Sequence, residues 1–348
     1  MGRMNNPILV EAMRGGICES THRGALAVVD ADGTLVASLG DIERPVFARS
    51  AVKVLQALPL LESGAADQLG LSEEELAVAC ASHNGEPAHT EAVSRMLAKA
   101  GLDAAALECG THWPYRETVQ RQMALAGVEP TALHNNCSGK HAGFLCVACR
   151  MAGGADLRRY AEGYVGPDHP VMRSVTAAMQ TATGFDLSKT ARGTDGCSIP
   201  THAIPLRHLA HAFARVGTGV GLSAGHANAA RRLRGAVARH PFMVGGTGRF
   251  DTRVMERLGE RVFCKVGAEA MFCAAFPERG LGVAIKVDDG NNARAAEVAM
   301  AAVIEAFVAL DDAQASFMRE LSDVTLRNWN GIEVGALRAS AALRRLTA

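Results

Sequence analysis

The stretch Ala25-Leu-Ala-Val-Val-Asp30, followed by Ala31-Asp32-Gly33 and Thr34-Leu-Val-Ala-Ser-Leu39, reads as two β-rich runs joined by a short hairpin loop. Gly33 stands where such a loop calls for a positive φ. Near the other end, Arg261-Val-Phe-Cys-Lys265, Ala270-Met-Phe-Cys-Ala-Ala-Phe276 and Leu281-Gly-Val-Ala-Ile-Lys-Val287 have the same β character. The short gaps between them favour antiparallel pairing. Between the two ends, apolar residues recur at helical spacing over 50–61, 90–100, 141–151, 170–183, 206–216 and 227–238. An Ala-rich segment, 292–310, reads as one more helix that covers the sheet. The pattern predicts an α/β chain of the α+β kind: an antiparallel sheet built from N- and C-terminal strands, with a helical region inserted between them. One domain is expected over 1–348, with its sheet region at about 1–48 and 240–348 and its helical region at about 49–239.

Composition narrows the class of partner. With 348 residues, 48% of them hydrophobic and 21% charged, the chain can bury a sizeable core. Acidic and basic residues balance at 36 each, so no basic field draws in nucleic acid or an anionic membrane. A small molecule is the expected partner. No run of 18 or more apolar residues is present, and Glu11 and Arg14 cut short the apolar start that a signal peptide would need. Met1-Gly2 faintly suggests a myristoylation start, but Asn6 stands where Ser or Thr is required. Nine cysteines without a signal sequence read as reduced thiols in the cytoplasm. Cys80, Cys146, Cys149 and Cys273 have apolar neighbours and read as core packing, whereas Cys137 and Cys197 lie in tight polar turns.

Three short motifs occur in order: Ser50-x-x-Lys53 at a helix start, Ser82-His83-Asn84 in a polar turn, and Lys265-Val266-Gly267 at a strand end. They parallel the Ser-x-x-Lys, Ser-Asp-Asn and Lys-Thr-Gly signature of class A β-lactamases and penicillin-binding proteins, with Ser-His-Asn and Lys-Val-Gly as the second and third elements here. Residues i and i+3 share a helix face, which puts the Lys53 amine within reach of the Ser50 hydroxyl. A serine is a weak nucleophile until a base takes its proton, and a lysine can do so only when it is neutral. Burial and a neighbouring cation favour that form, and Lys265 could supply the cation. Lys265 could also pair with Ser82 as a second Ser–Lys tandem.

Longer runs around these motifs resemble the rhizobial-type, or class 3, L-asparaginases. The runs are Arg49-Ser-Ala-Val-Lys-Val-Leu-Gln-Ala-Leu-Pro-Leu60, Cys80-Ala-Ser-His-Asn-Gly-Glu-Pro87, His134-Asn-Asn-Cys-Ser-Gly-Lys-His-Ala-Gly-Phe144, Thr194-Asp-Gly-Cys-Ser-Ile-Pro200 and Lys265-Val-Gly-Ala-Glu269. The resemblance covers about residues 8 to 310. It implies hydrolysis of L-asparagine to L-aspartate and ammonia, in a fold similar to serine β-lactamases and glutaminases, usually as a homodimer. It further implies Ser50 as nucleophile, Lys53 as its base, and Ser82 with Lys265 as the second tandem. Arg49 and Asp195 would meet the α-carboxylate and α-ammonium of the substrate, with His83, Asn84, Gly267 and Ala268 also beside it. One departure is Ala270, where glycine is expected. The resemblance also suggests zinc held by Cys137, Cys197 and Lys140. The residues alone say less about this: two thiolates suit zinc, but a separation of 60 residues gives no ligand-spacing signal, and His83 and His141 are further sequence neighbours.

A glutaminase or another amidohydrolase of the same superfamily differs from this reading by one methylene of substrate. From a different class comes a non-catalytic module in which Cys137 and Cys197 sense metal or redox state while an amino acid binds.

Overall fold

The computed structural model describes residues 6–346, so the Met1-Gly2 start lies outside the described residues. Within them the strands, in chain order, are β1 (Ile8–Arg14), β2 (Ile17–Asp30), β3 (Leu35–Leu39), β4 (Pro45–Phe47), β5 (Arg192–Thr194), β6 (Pro200–Pro205), β7 (Phe263–Val266), β8 (Met271–Phe276), β9 (Leu281–Val287), β10 (Asp323–Arg327) and β11 (Glu333–Ala339). The chain divides into two compact units.

The first unit takes residues up to 51, then 204–221, and then 264 onward. Its sheet runs β10-β11-β1-β2-β9-β8-β7, with β3 also on β2. The β1–β2, β1–β11, β2–β3, β2–β9, β8–β9 and β10–β11 pairings are antiparallel. The apolar run of β2 explains its central place: Ala25 to Val29 are all buried, which demands cover on both faces. In register, Ala27 faces Ala284 and Val28 faces Val283. Gly33 has a φ of 90°, as the hairpin loop requires. The sheet is thus assembled from both ends of the chain, as the strand pattern predicts.

Two differences from the sequence reading have clear physical causes. The amphipathic helix Leu206–Thr218 belongs to the sheet unit, packing on β2, β8 and β9, rather than to the helical region. A Cβ on Gly282 of β9 would lie 2.0 Å from the Ala210 carbonyl oxygen and 2.2 Å from the Ala214 nitrogen, so helix and strand touch backbone to backbone there. The C-terminal segment supplies two strands that weak alternation had hidden, and β11 sits between β10 and β1.

The second unit takes residues 52–203 and 222–263. Its central helix, Ser138–Ala152, is buried without a break from Ser138 to Ala148, so it has no solvent face along that length. Helices Glu73–Ala79 and Pro87–Lys99 pack against it. Pro170–Thr183 spans the residues expected of it. The expected helix over 50–61 is broken instead into a 3₁₀ turn, Arg49–Val52, and two short helices, Lys53–Gln56 and Leu58–Glu62, with Pro59 in the first turn of the last. Among the described residues no helix is long and apolar enough to cross a membrane.

The Gly282 contact yields a direct test. Gly282→Ala must force helix and strand apart and should destabilise the fold by about 3 kcal/mol. A denaturant titration showing a loss below about 0.5 kcal/mol would contradict this packing.

Candidate functional site

In the first unit, Ser50 lies half-buried in the 3₁₀ turn Arg49–Val52, which Ala51 N–H closes by donating to the Ala48 carbonyl at 3.1 Å. Arg49 has a φ of 49°, uncommon for a residue with a side chain. Lys265 is buried on β7, and its Nζ donates to the Val266 carbonyl at 2.8 Å. The loop that follows turns sharply, with Gly267 N–H donating to the Met271 carbonyl at 2.6 Å. A Cβ on Gly267 would sit 2.9 Å from the Ala48 oxygen and 3.0 Å from the Ala51 nitrogen. The Lys-x-Gly motif therefore has a steric reason: its glycine lets the strand end lie against the turn that carries Ser50. Ala268 is in the same loop. Ala270 has a φ of 52°, which accounts for glycine being the expected residue there.

In the second unit, Lys53 opens the helix Lys53–Gln56 and is fully buried. Its Nζ donates to the Ala81 carbonyl and, at 3.3 Å, to the Asn136 carbonyl. No carboxylate pairs with it among the described residues. Burial pulls its pKa below the usual lysine value, and the Cys137 sulfur only partly opposes that. The Ser82-His83-Asn84 run is neither helix nor strand. Ser82 N–H donates to the Val244 carbonyl and Asn84 N–H to the Gly245 carbonyl, each at 2.9 Å. The Ser82 hydroxyl is buried and has no hydrogen-bond partner among the described residues.

The other polar groups of this run are occupied. His83 Nε2 is 3.0 Å from the Ser138 hydroxyl, and its Nδ1 accepts from Gly85 N–H at 3.1 Å. Burial holds this histidine neutral. The Asn84 side chain donates to the Thr247 carbonyl at 3.2 Å and accepts from Arg249 at 3.3 Å. Both side chains are thus tied to protein groups. Sequence reasoning passed over Glu86, which accepts from Thr247 N–H and its hydroxyl at 2.7 Å each. It also missed Asn136, whose carbonyl serves both Lys53 and His83 N–H. Backbone acceptors leave no mark in a sequence, so only the fold could reveal the latter.

Two separated segments then bring sulfur and amine together. Cys137 precedes the helix Ser138–Ala152, and Cys197 lies in the turn between β5 and β6. Asp195 N–H donates to the Ile199 carbonyl at 2.8 Å across that turn. Lys140 Nζ is 3.0 Å from Cys197 Sγ. The hydrogen bond from Cys197 holds the Cys137 thiol well below its usual pKa, with the Lys53 and Lys140 charges adding to the effect. The same hydrogen bond raises Cys197. Burial works against the Lys140 ammonium, but the two sulfurs outweigh it and raise that pKa. His141 stands apart from this set, its Nδ1 lying 2.7 Å from the Tyr164 hydroxyl.

Among the described residues no cluster of three His, Cys, Asp or Glu side chains could hold a metal. Two sulfurs and a lysine amine do lie together here: thiolates are groups zinc takes, and the amine would have to give up the proton that the sulfurs help it to hold. Zinc would take the place of protons that the three groups share here.

A family model described as L-asparaginase II matches residues 10–339. No curated protein matches the sequence. Among solved structures, Mglu is 16% identical with a TM-score of 0.36, over 79% of this chain and 64% of that one. Mglu in its tris and glutamate form is 17% identical with a TM-score of 0.35, over 84% of this chain and 61% of that one. A β-lactamase from Mycobacterium bovis is 15% identical with a TM-score of 0.36, over 81% of this chain and 93% of that one. The chain therefore spans less than two thirds of the Mglu chains it matches. Likeness of this degree assigns no role to any residue.

The Glu86 network can be tested by pH. Burial raises the Glu86 pKa, but hydrogen bonds from Thr247 and Asn84 outweigh it and leave the folded value lowered. Its stabilisation is therefore present above the unfolded value of about 4.3 and is lost as pH falls through the lower folded value. Glu86→Ala should cost about 1 kcal/mol at pH 7 and flatten this part of the acid unfolding curve. An unaltered curve would show that the network does not contribute.

Proposed function

Because the chain belongs to the L-asparaginase II family, we propose that it is an amidohydrolase that converts L-asparagine to L-aspartate and ammonia. The observation that carries the reading is Lys53. This lysine is buried, bound to carbonyls rather than carboxylates, has its pKa pulled down, and follows Ser50 by three residues along consecutive helical turns. Such an amine can be neutral and serve as a base.

In this proposal the Ser50 hydroxyl gives its proton to Lys53 and its oxygen bonds to the side-chain amide carbon. The C–N bond breaks, and nitrogen leaves as ammonia after taking a proton back. Water then adds to the Ser50 ester, frees aspartate and restores the hydroxyl. Ser82 and Lys265 act as the second tandem, relaying protons; the unpartnered Ser82 hydroxyl supports a partner supplied by substrate. Arg49 would meet the α-carboxylate and Asp195 the α-ammonium. His83, Asn84, Gly267 and Ala268 would shape the substrate surroundings, the first two mainly through the protein groups they hold.

Zinc, held by Cys137, Cys197 and Lys140, is part of the same proposal. When bound it would supply a fixed positive charge for organising polar substrate groups. Cys137 and Lys140 would orient their own segments around it, and Ser50 would remain the nucleophile. The reading carries with it a cytoplasmic homodimer.

Ammonia release should be fast from L-asparagine and slower from L-glutamine, by about 10–200-fold if one methylene decides. Ser50→Ala, at a half-exposed position, should keep the fold and lose about four orders of magnitude or more in turnover; Lys53→Met should fall comparably near pH 7. Retained turnover in Ser50→Ala would remove the nucleophile assignment. Faster release from glutamine would reverse the substrate.

Metal content is an independent check. Protein purified without chelator should hold about one zinc per chain, and Cys137→Ser with Cys197→Ser should lose it. A wild-type content well below one would rule out the zinc site.

A further inference from the structure

We propose that a groove beside the β5–β6 hairpin binds a small molecule through an oxyanion, either a carboxylate or a phosphate. The groove encloses about 270 Å³, and Arg173, Thr176, Gln180, Arg192 and His202 line it. No acidic side chain is among its lining residues.

The fold builds this lining from two elements. Arg173, Thr176 and Gln180 stand at i, i+3 and i+7 on the helix Pro170–Thr183, so they share one face. Arg192 and His202 are cross-strand partners in the hairpin. Two guanidinium groups are thereby gathered on one hollow, and neither has an ion pair or hydrogen bond among the described residues. The nearby Asp186 is engaged by Lys189 at 2.9 Å. Planar guanidinium forks match carboxylate and phosphate geometry.

The buried part of the lining supplies an independent indication. His202 is only 7% exposed, and neither ring nitrogen makes a hydrogen bond of normal geometry, although the Leu187 carbonyl lies close by. A buried polar group without a partner is costly, so one expects a ligand or water to complete it. Burial, and then the Arg192 charge, hold this histidine below its usual pKa; its one N–H is the group that faces the Leu187 carbonyl, and the other ring nitrogen is left to accept from a bridging water or a ligand hydroxyl. Gln180 accepts from Leu187 N–H at 3.2 Å through its oxygen, which leaves its amide N–H groups for a ligand. Thr176 adds a hydroxyl. The lining is therefore rich in donors and offers no carboxylate to repel an anion.

The place of the groove gives it interest. The strands that carry Arg192 and His202 run directly into the turn that carries Asp195 and Cys197. A ligand clamped by Arg173 on the helix and Arg192 on the hairpin braces that turn at its base.

Calorimetric titration of the full-length protein with sodium phosphate, and separately with sodium malonate, tests the inference. Ionic strength is held constant with chloride, because bare surface charge is screened by salt. At least one of the two anions should saturate the wild-type protein. The double variant Arg173→Ala, Arg192→Ala should bind that anion roughly tenfold more weakly or worse. Both arginines are exposed, so the variant should fold, and its unfolding curve verifies that. Saturation by phosphate alone, or by malonate alone, supports the site and identifies the shape of the oxyanion. Equal binding by the double variant, or no wild-type saturation by either anion below about 10 mM, overturns it.

Discussion

Three lysine side chains are buried almost completely: Lys53 at 0%, Lys265 at 1% and Lys140 at 2% exposure. Removing an ammonium from water costs several kcal/mol unless it is paired, hydrogen-bonded or neutralised. A great deal of the surrounding structure answers that cost. Lys53 is met by the carbonyls of Ala81 and Asn136 and by the Cys137 sulfur, with no carboxylate beside it among the described residues, and burial outweighs these partners and lowers its pKa. Lys140 is met by sulfur, and its charge in turn helps to hold Cys137 as a thiolate. The two neighbouring lysines therefore have opposite proton preferences, set by what faces each of them.

Those partners come from segments far apart in the chain, and small residues let the segments approach. Gly139 is the clearest case. A Cβ there would fall 2.2 Å from the Val78 carbonyl oxygen, so the central helix carrying Lys140 lies directly on the chain leading to Ser82. Gly267 does the same for the strand end after Lys265 and the turn carrying Ser50. Read as sequence, these glycines are parts of catalytic motifs. In the fold they are contact points between backbones, which explains why a motif built around serine and lysine needs them. Ala270, in the left-handed region where glycine is at ease, marks one place where this chain tolerates strain in the same loop.

The polar residues around Ser82 divide in a comparable way. The Ser82 hydroxyl is left without a partner among the described residues, whereas His83 and Asn84 are both engaged by neighbours. Their engagement ties down the run that carries Ser82. Glu86 and Thr247 extend the network to the Gly245-Gly-Thr-Gly segment, which by itself reads only as a turn.

Much of this was legible in the sequence because it rests on local physics. Hydrophobic period marked the β2–β3 hairpin, β8, β9 and the helix Pro170–Thr183, and the spacing of serine and lysine singled out Ser50, Lys53, Ser82 and Lys265. What periodicity could not supply was partnership. The place of β11 between β10 and β1 depends on pairing across some three hundred residues, and β10, none of whose residues is fully buried, has no strong apolar signal to announce it. The segment 50–61 opens with a 3₁₀ turn that lies against Gly267, and Pro59, which has no N–H to donate, sits where the helix is interrupted between Gln56 and Leu58. Cys137 and Cys197 are ordinary thiols in the sequence, and only the turn between β5 and β6 brings them within a hydrogen bond of each other. The sequence determined which side chains could do chemistry. The tertiary structure decided which of them are buried and what each one faces, and for lysine and cysteine that decides where the proton resides.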